Sequence, residues 1–195
     1  LKLIETHRLT DFSHLNLFRT CYTDRRGKER TWVFASRRSQ PLSSGRALEV
    51  PDAVVIVPFH SARQELVAIK EFRVTLGGYQ IGFPAGLIDP GETVDEAARR
   101  ELREETGLSL RRVLYRSPAV FSSSGMTDES VCLVFVECEG TPSADANESS
   151  EDIHVLFLDK AAARRLDEDD TLKLDVKAWT IIAAYGRGFD YFPGH

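Results

Sequence analysis

The chain has 195 residues, an apolar fraction of 42% and a formal net charge of −5. That length suits one α/β domain, or one with a small appendage, and is enough to bury a real core; the ordinary apolar content and mixed charge exclude a disordered chain. The acidic balance lacks the basic footprint of a general nucleic-acid binder, although a few arginines and a metal ion can still receive a small phosphorylated ligand.

The first fifty residues read as a small antiparallel β-sheet. HLNLFRTCY and ERTWVFASR are strand-like, and TDRRGK between them is a turn. PLSSGRALEV is a connection, so a boundary falls near Val50 and divides residues 1–50 from residues 51–195. AVVIVPFH and ELVAIKEFR then flank the turn SARQ, and their nearly continuous apolar runs predict strands covered on both faces. VTLGGYQIGFPAG is glycine-rich and irregular. RRVLYRS, SVCLVFVECE and IHVLFLD are further strands, TPSADANESSED is an acidic loop, and helices are predicted near 160–166 and 176–185. This alternation predicts a mixed α/β sandwich.

Three cysteines, Cys21, Cys132 and Cys138, show no CxxC spacing and read as core thiols rather than a disulfide or zinc framework. There is no apolar run of the length that spans a membrane, and LKLIETHRLTDF is too charged for a secretory signal. The expectation is a soluble cytoplasmic protein.

Thr93 and Glu96 have the T-x-x-E spacing of a capping box, and Gly107 sits where a helix stops in a left-handed cap, so a helix is predicted over 94–106. At about 100° per residue, Glu101, Glu104 and Glu105 share one face, with Val94, Ala97 and Ala98 on or beside it. A solvated charged helix stabilised by i,i+4 pairs would place lysine or arginine at neighbouring turns, whereas Arg99 and Arg103 project elsewhere. Clustered carboxylates repel, and at least one takes up a proton unless a cation is present. Magnesium suits them, because it accepts one or two carboxylates and completes its shell with water and phosphate oxygens.

The stretch Gly86-x5-Glu92-x7-Arg100-Glu101-Leu102-x-Glu104-Glu105-x-Gly107-Leu108 resembles a complete Nudix box. The resemblance implies an α/β/α sandwich with a mixed sheet that hydrolyses a nucleoside diphosphate linked to another moiety. It implies that the box binds magnesium or manganese through Glu101, Glu104 and Glu105, with Arg100 holding the carboxylates and the carbonyl of Ala85 as a further ligand. Pyrophosphate hydrolysis needs charge neutralisation and an activated water, which paired metals about 3.5–4 Å apart supply.

KERTWVFASRR, IKEFRVTLGGYQIGFPAGLIDPGET and SPAVFSSSGMTDE are similar to the ADP-ribose and ADP-sugar pyrophosphatase branch of that family. This implies a small N-terminal sheet ahead of the Nudix fold and a homodimer in which that sheet helps build the partner's site. It implies a small nucleoside diphosphate sugar as substrate; the acidic balance and the lack of a long apolar run already predict neither nucleic acid nor membrane as partner. Trp32 matches a base-stacking aromatic, with packing in the dimer interface as the other reading. Arg73 and Arg37 match phosphate contacts, against the plain reading of surface arginines. Glu151 matches a late glutamate that serves as metal ligand or base, with Glu148 as an alternative.

Gly82 stands where the branch often has glutamate, and Val33 where an acid is common. His14, or Phe12, replaces a second stacking aromatic, and Ser124 replaces a proline that marks the ADP-ribose group. Fewer polar base contacts imply weaker base discrimination. A non-catalytic ADP-ribose sensor and an enzyme for another nucleotide class are the rival readings.

Overall fold

The computed structural model describes residues 1–45, 48, 50–147, 149–189 and 191–192. In chain order the strands are β1 (Lys2–Arg8), β2 (Asn16–Thr23), β3 (Glu29–Ser36), β4 (Ala53–His60), β5 (Glu65–Arg73), β6 (Gly78–Gly82), β7 (Ala85–Leu87), β8 (Ser109–Arg116), β9 (Val120–Phe121), β10 (Ser130–Glu139) and β11 (Ile153–Leu158). The helices are α1 (Val94–Thr106), α2 (Lys160–Glu168) and α3 (Val176–Gly186). The chain divides into two compact units, Leu1–Asp52 with Ala119–Val131, and Ala53–Pro118 with Cys132–His195.

The first unit is built on an antiparallel sheet of order β1-β2-β3. In β2, Asn16, Phe18 and Thr20 are buried while Leu17 and Arg19 are exposed, the period-2 alternation of a half-buried strand. The sequence gives no clear sign of β1, because its side chains are nearly all exposed. It forms through backbone pairing with β2 and a bond between the Thr6 and Thr20 hydroxyls at 2.8 Å. The hairpin turn between β2 and β3 closes on Asp24, whose Oδ1 accepts from the amides of Arg26 and Lys28 at 2.9 and 3.0 Å. β9 pairs with the first two residues of β10 in this unit.

The second unit carries the strand path β11-β5-β4-β10-β8 of the larger, mixed sheet, with β6 on β5 and β7 on β4. Every residue of β4 is buried, as its continuous apolar run predicts. Alternation then assigns the two faces. Val54, Ile56, Val67, Val134 and Val136 pack with Ala97, Ala98 and Leu102 of α1. On the other face Phe59 stacks on Phe192 at 4.7 Å, and Ile181 and Ile182 of α3 are buried. The result is the expected α/β/α layering.

β6 and β7 occupy the glycine-rich segment expected to be irregular. They are held by register rather than by their own propensity: Gly82 pairs with Ile69, and Ala85 with Val55. α1 has the expected bounds. The Thr93 hydroxyl accepts from the Glu96 amide, the Glu96 carboxylate reaches back to the Thr93 amide at 2.8 Å, and Gly107 takes φ 73°.

Candidate active site

The site in the second unit grows from the short strand β7 and the helix that follows it. Antiparallel pairing with β4 fixes β7, and Gly86 lies in its middle. A Cβ at Gly86 would fall inside the Glu101 carboxylate, so only glycine lets the helix bring Glu101 this close to the strand. That gives the first position of the box a steric reason. Its neighbour Ala85 donates its amide to Glu105 Oε2 at 3.0 Å.

Arg100 uses all its donors. Nε and Nη2 bind the two oxygens of Glu92, each at 2.9 Å, Nη1 binds Glu101 Oε1 at 2.7 Å and Glu104 Oε2 at 3.1 Å, and Nη2 also reaches the Leu87 carbonyl at 2.9 Å. A planar fork suits this cross-bracing, which ties the loop before α1 to two glutamates of its second half. The bonds from Arg100 hold the Glu92 carboxyl below its usual range. The arginine itself is pushed further up by Glu92 first.

The carboxylates on α1 differ in solvation. Burial raises the Glu101 carboxyl, and Arg100 only partly opposes this. Glu105 is 7% exposed, and burial pushes its carboxyl up to about 9 against the Ala85 amide, with the charges of Glu101, Glu71 and Glu151 adding to the rise. Glu151 thus stands within electrostatic reach of Glu71, Glu101 and Glu105.

Glu71 is not among the site residues that the sequence leads one to expect. It lies on β5 on the same face as Val67, half buried, with its carboxyl raised by desolvation and bonded to Arg73 Nη1 at 2.7 Å. Parity within KEFR was the available signal: Glu71 and Arg73 must share one face of the strand. Arg73, expected to contact phosphate, is therefore braced by a neighbouring acid.

Among the described residues, no three His, Cys, Asp or Glu side chains form a closed ligand set. Arg100 and the Ala85 amide hold the glutamate oxygens instead. The donor set nevertheless fits a hard divalent cation. It offers only oxygens, and its crowded, desolvated carboxylates lose their mutual repulsion when a cation joins them. Glu148 lies outside the described residues.

The remaining candidates belong to the first unit. Trp32 is half exposed and donates Nε1 to the Gly125 carbonyl at 3.2 Å, which leaves its ring face open. Arg37 pairs with Glu129 at 3.1 Å. His14 is exposed in a bend before β2, next to a segment where Asn16 binds the Phe12 amide and carbonyl at 2.7 and 2.8 Å. A cavity of about 540 Å³ in this unit is lined by Trp32, Tyr22, Phe34, Phe121 and Ser124, among others.

The profile of the NUDIX domain matches residues 50–179. An ADP-ribose pyrophosphatase of Saccharomyces cerevisiae is 38% identical over 141 residues, covering 71% of this chain and 60% of the yeast protein. An ADP-sugar pyrophosphatase of Mus musculus is 34% identical over 122 residues, covering 63% of this chain and 54% of its own length. The chain thus spans little more than half of these relatives. The crystal structure of an ADP compounds hydrolase superposes with a TM-score of 0.69 at 23% identity, covering 96% of this chain and 95% of the other, and shares the fold. The match spans the strand-loop-helix in which Gly86 makes room for Glu101 and Arg100 braces the glutamates, and on that ground the chain belongs to the NUDIX domain family.

Proposed function

We propose that this protein hydrolyses the pyrophosphate bond of ADP-ribose and related nucleoside diphosphate sugars, with a divalent cation, releasing a nucleoside monophosphate and a sugar phosphate. The observation that carries the reading is Glu105, a buried carboxylate pushed up to about 9 beside Glu101, Glu71 and Glu151. Such an arrangement is unfavourable without a cation and is of the kind functional sites concentrate. The printed names of the relatives support the substrate class.

Glu101, Glu104, Glu105 and Glu151, with the Ala85 carbonyl, would hold magnesium or manganese. When bound, the cation neutralises phosphate oxygens and makes water a stronger acid. Arg100 keeps Glu101 and Glu104 in place through the bonds described above. Arg73, braced by Glu71, binds a non-bridging phosphate oxygen, and Arg37 provides a second positive contact. Glu151 or Glu148 takes a proton from the attacking water. The water oxygen bonds to one phosphorus, the bridging P–O bond breaks, and its electron pair leaves on the second phosphate. From ADP-ribose the products are AMP and ribose 5-phosphate.

Trp32 recognises the base by its ring face, since its N–H is engaged by Gly125, and His14 lies on the same unit. With Val33 and Gly82 in place of acids, the base is held by stacking more than by hydrogen bonds, so base preference is relaxed. Residues 1–50 form the dimerisation and substrate-recognition region and residues 51–195 the hydrolase domain. The exposed Leu3, Ile4, Leu17, Trp32 and Val33 supply apolar surface for a second copy.

The test is product analysis with ADP-ribose, ADP-glucose, UDP-glucose and GDP-mannose, with magnesium and with a chelator. Chelator-sensitive release of nucleoside monophosphates is expected. Tight binding of ADP-ribose without release would instead make the protein a sensor. If adenine compounds alone are cleaved, with the others rejected by about 10⁴ or more, base preference is not relaxed.

A further inference from the structure

The geometry points to a latch on the face of the sheet opposite α1: Tyr79, Asp152 and His154 fix the backbone register at which Glu151 reaches the carboxylate cluster. The inference rests on the hydrolysis proposed above for its kinetic consequence, but not for its structure.

Strand parity is the starting point. Val155 and Phe157 pack against the α1-side core, and Ile153 pairs with Glu71, so the odd residues here face α1. By the same alternation Glu151 faces α1 and Asp152 faces away. Residues 151 and 152 carry no strand assignment, because β11 opens at Ile153. Glu151 is therefore presented from just beyond the end of a ladder, and something must hold that end.

Asp152 does this through three bonds. Its carbonyl accepts from the Phe72 amide at 3.0 Å, which carries the β5 pairing one step past Ile153. Its Oδ2 accepts from the Tyr79 hydroxyl, and its Oδ1 pairs with His154 Nε2 at 3.2 Å. Tyr79 is itself held. It stands opposite Phe72 in the β5–β6 register, meets that ring edge-on at 5.5 Å, and carries the Lys70 ammonium 4.8 Å from its centroid. Tyr79, Asp152 and His154 are all exposed, so they contribute little to the core. Their arrangement has a positional consequence: the backbone atoms that carry Glu151 are pinned from the side the reaction does not use. Tyr79 and Asp152 are positioning residues, because both face away from the carboxylate cluster.

The test compares Tyr79→Phe, Asp152→Ala and Asp152→Asn in the full chain. Three quantities are read: kcat and KM for ADP-ribose with magnesium, the melting temperature, and hydrogen exchange at the Phe72 amide by NMR. A misplaced carboxylate predicts a fall in kcat of about tenfold to a hundredfold in Tyr79→Phe and Asp152→Ala, with KM little changed. Melting temperatures should stay within about 2 °C of the parent, and the Phe72 amide should exchange faster. Asp152→Asn keeps an acceptor oxygen for Tyr79 and should recover most of the loss. Unchanged kcat in both Tyr79→Phe and Asp152→Ala overturns the latch, as does a fall in kcat that only tracks a fall in melting temperature. If the parent protein cleaves no ADP-ribose, the functional reading fails and the amide decides the latch alone. Faster Phe72 exchange in Tyr79→Phe then supports it, and unchanged exchange overturns it.

Discussion

At the N-terminal end of α1 the Glu96 carboxylate accepts from the Thr93 amide at 2.8 Å and from the Thr93 hydroxyl at 2.7 Å, and these bonds hold its carboxyl below the usual range. Asp95 beside it is paired with Arg116. Both acids also sit at the positive end of the helix dipole. Near the other end of the same helix, Glu104 and Glu105 face the negative end, and Glu105 is buried with its carboxyl pushed up to about 9. One residue type thus meets opposite environments within a single helix. The first set agrees with every local rule and stabilises the helix; the second breaks those rules. Local conflict of this kind is expected where a protein has a function to perform.

The largest effect should come from the residues in conflict. Glu105→Gln keeps the size of the side chain and an oxygen for the Ala85 amide, but removes the charge. Turnover of ADP-ribose should fall about a hundredfold or more, with circular dichroism unchanged. Retained activity would take Glu105 out of the proposed cation site and end the contrast between the two helix ends.

Gly86→Ala asks whether position matters as much as charge. The new methyl would displace the Glu101 carboxylate, which is the far end of a flexible side chain and can move. Activity should drop about tenfold to a hundredfold, because misplacement by about 1 Å is costly. The melting temperature should change little. A large loss of stability with normal activity in the surviving folded fraction would show that Gly86 serves the backbone rather than the carboxylate.

The same comparison has a pH signature. The folded Glu105 carboxyl lies at about 9, against 4.5 for the unperturbed group. A group raised in this way contributes stability that is present below the lower value and is lost as pH rises through the higher one. Melts in chelator should therefore show stability declining across that window, by an amount on the order of a few kcal/mol. Magnesium should offset the decline, and Glu105→Gln should flatten it. A melting temperature that is flat with pH in the parent would mean the carboxylate is better solvated than the geometry indicates.

The parts of this contrast that local rules govern were legible in the sequence. Thr93, Glu96 and Gly107 set the bounds of α1, and the spacing of Glu101, Glu104 and Glu105 placed them on one face. The apolar runs of β4, β5 and β10 announced buried strands. What escaped depends on partners distant in the chain. β6 and β7 look irregular and form only because β5 and β4 offer them edges. β1 buries almost nothing and exists by pairing with β2. Glu71 reads as one more surface acid until β5 turns it toward α1, and the bidentate grip of Arg100 on Glu92 spans eight residues of loop and helix. Tyr79 and Asp152 lie 73 residues apart, a separation that no local pattern encodes.

The smallest expected effect lies at the compliant end of the helix. Thr93→Ala removes the hydroxyl that accepts from the Glu96 amide at 3.3 Å and donates to the Glu96 carboxylate at 2.7 Å. An N-cap of this kind contributes about 1 kcal/mol, which for a chain of this size lowers the melting temperature by roughly 2–4 °C. Helix packing is unaffected, since Ala97, Ala98 and Leu102 keep their core contacts. The Arg100 bonds to Glu92, Glu101 and Glu104 also remain, so kcat for ADP-ribose should be unchanged at a temperature well below the melt. This variant is the mirror image of Glu105→Gln, costing stability and leaving turnover alone. If Thr93→Ala reduced kcat at full occupancy of the folded state, the cap would be setting the position of the glutamates two turns on. The helix would then act as one rigid lever rather than as two ends with separate tasks.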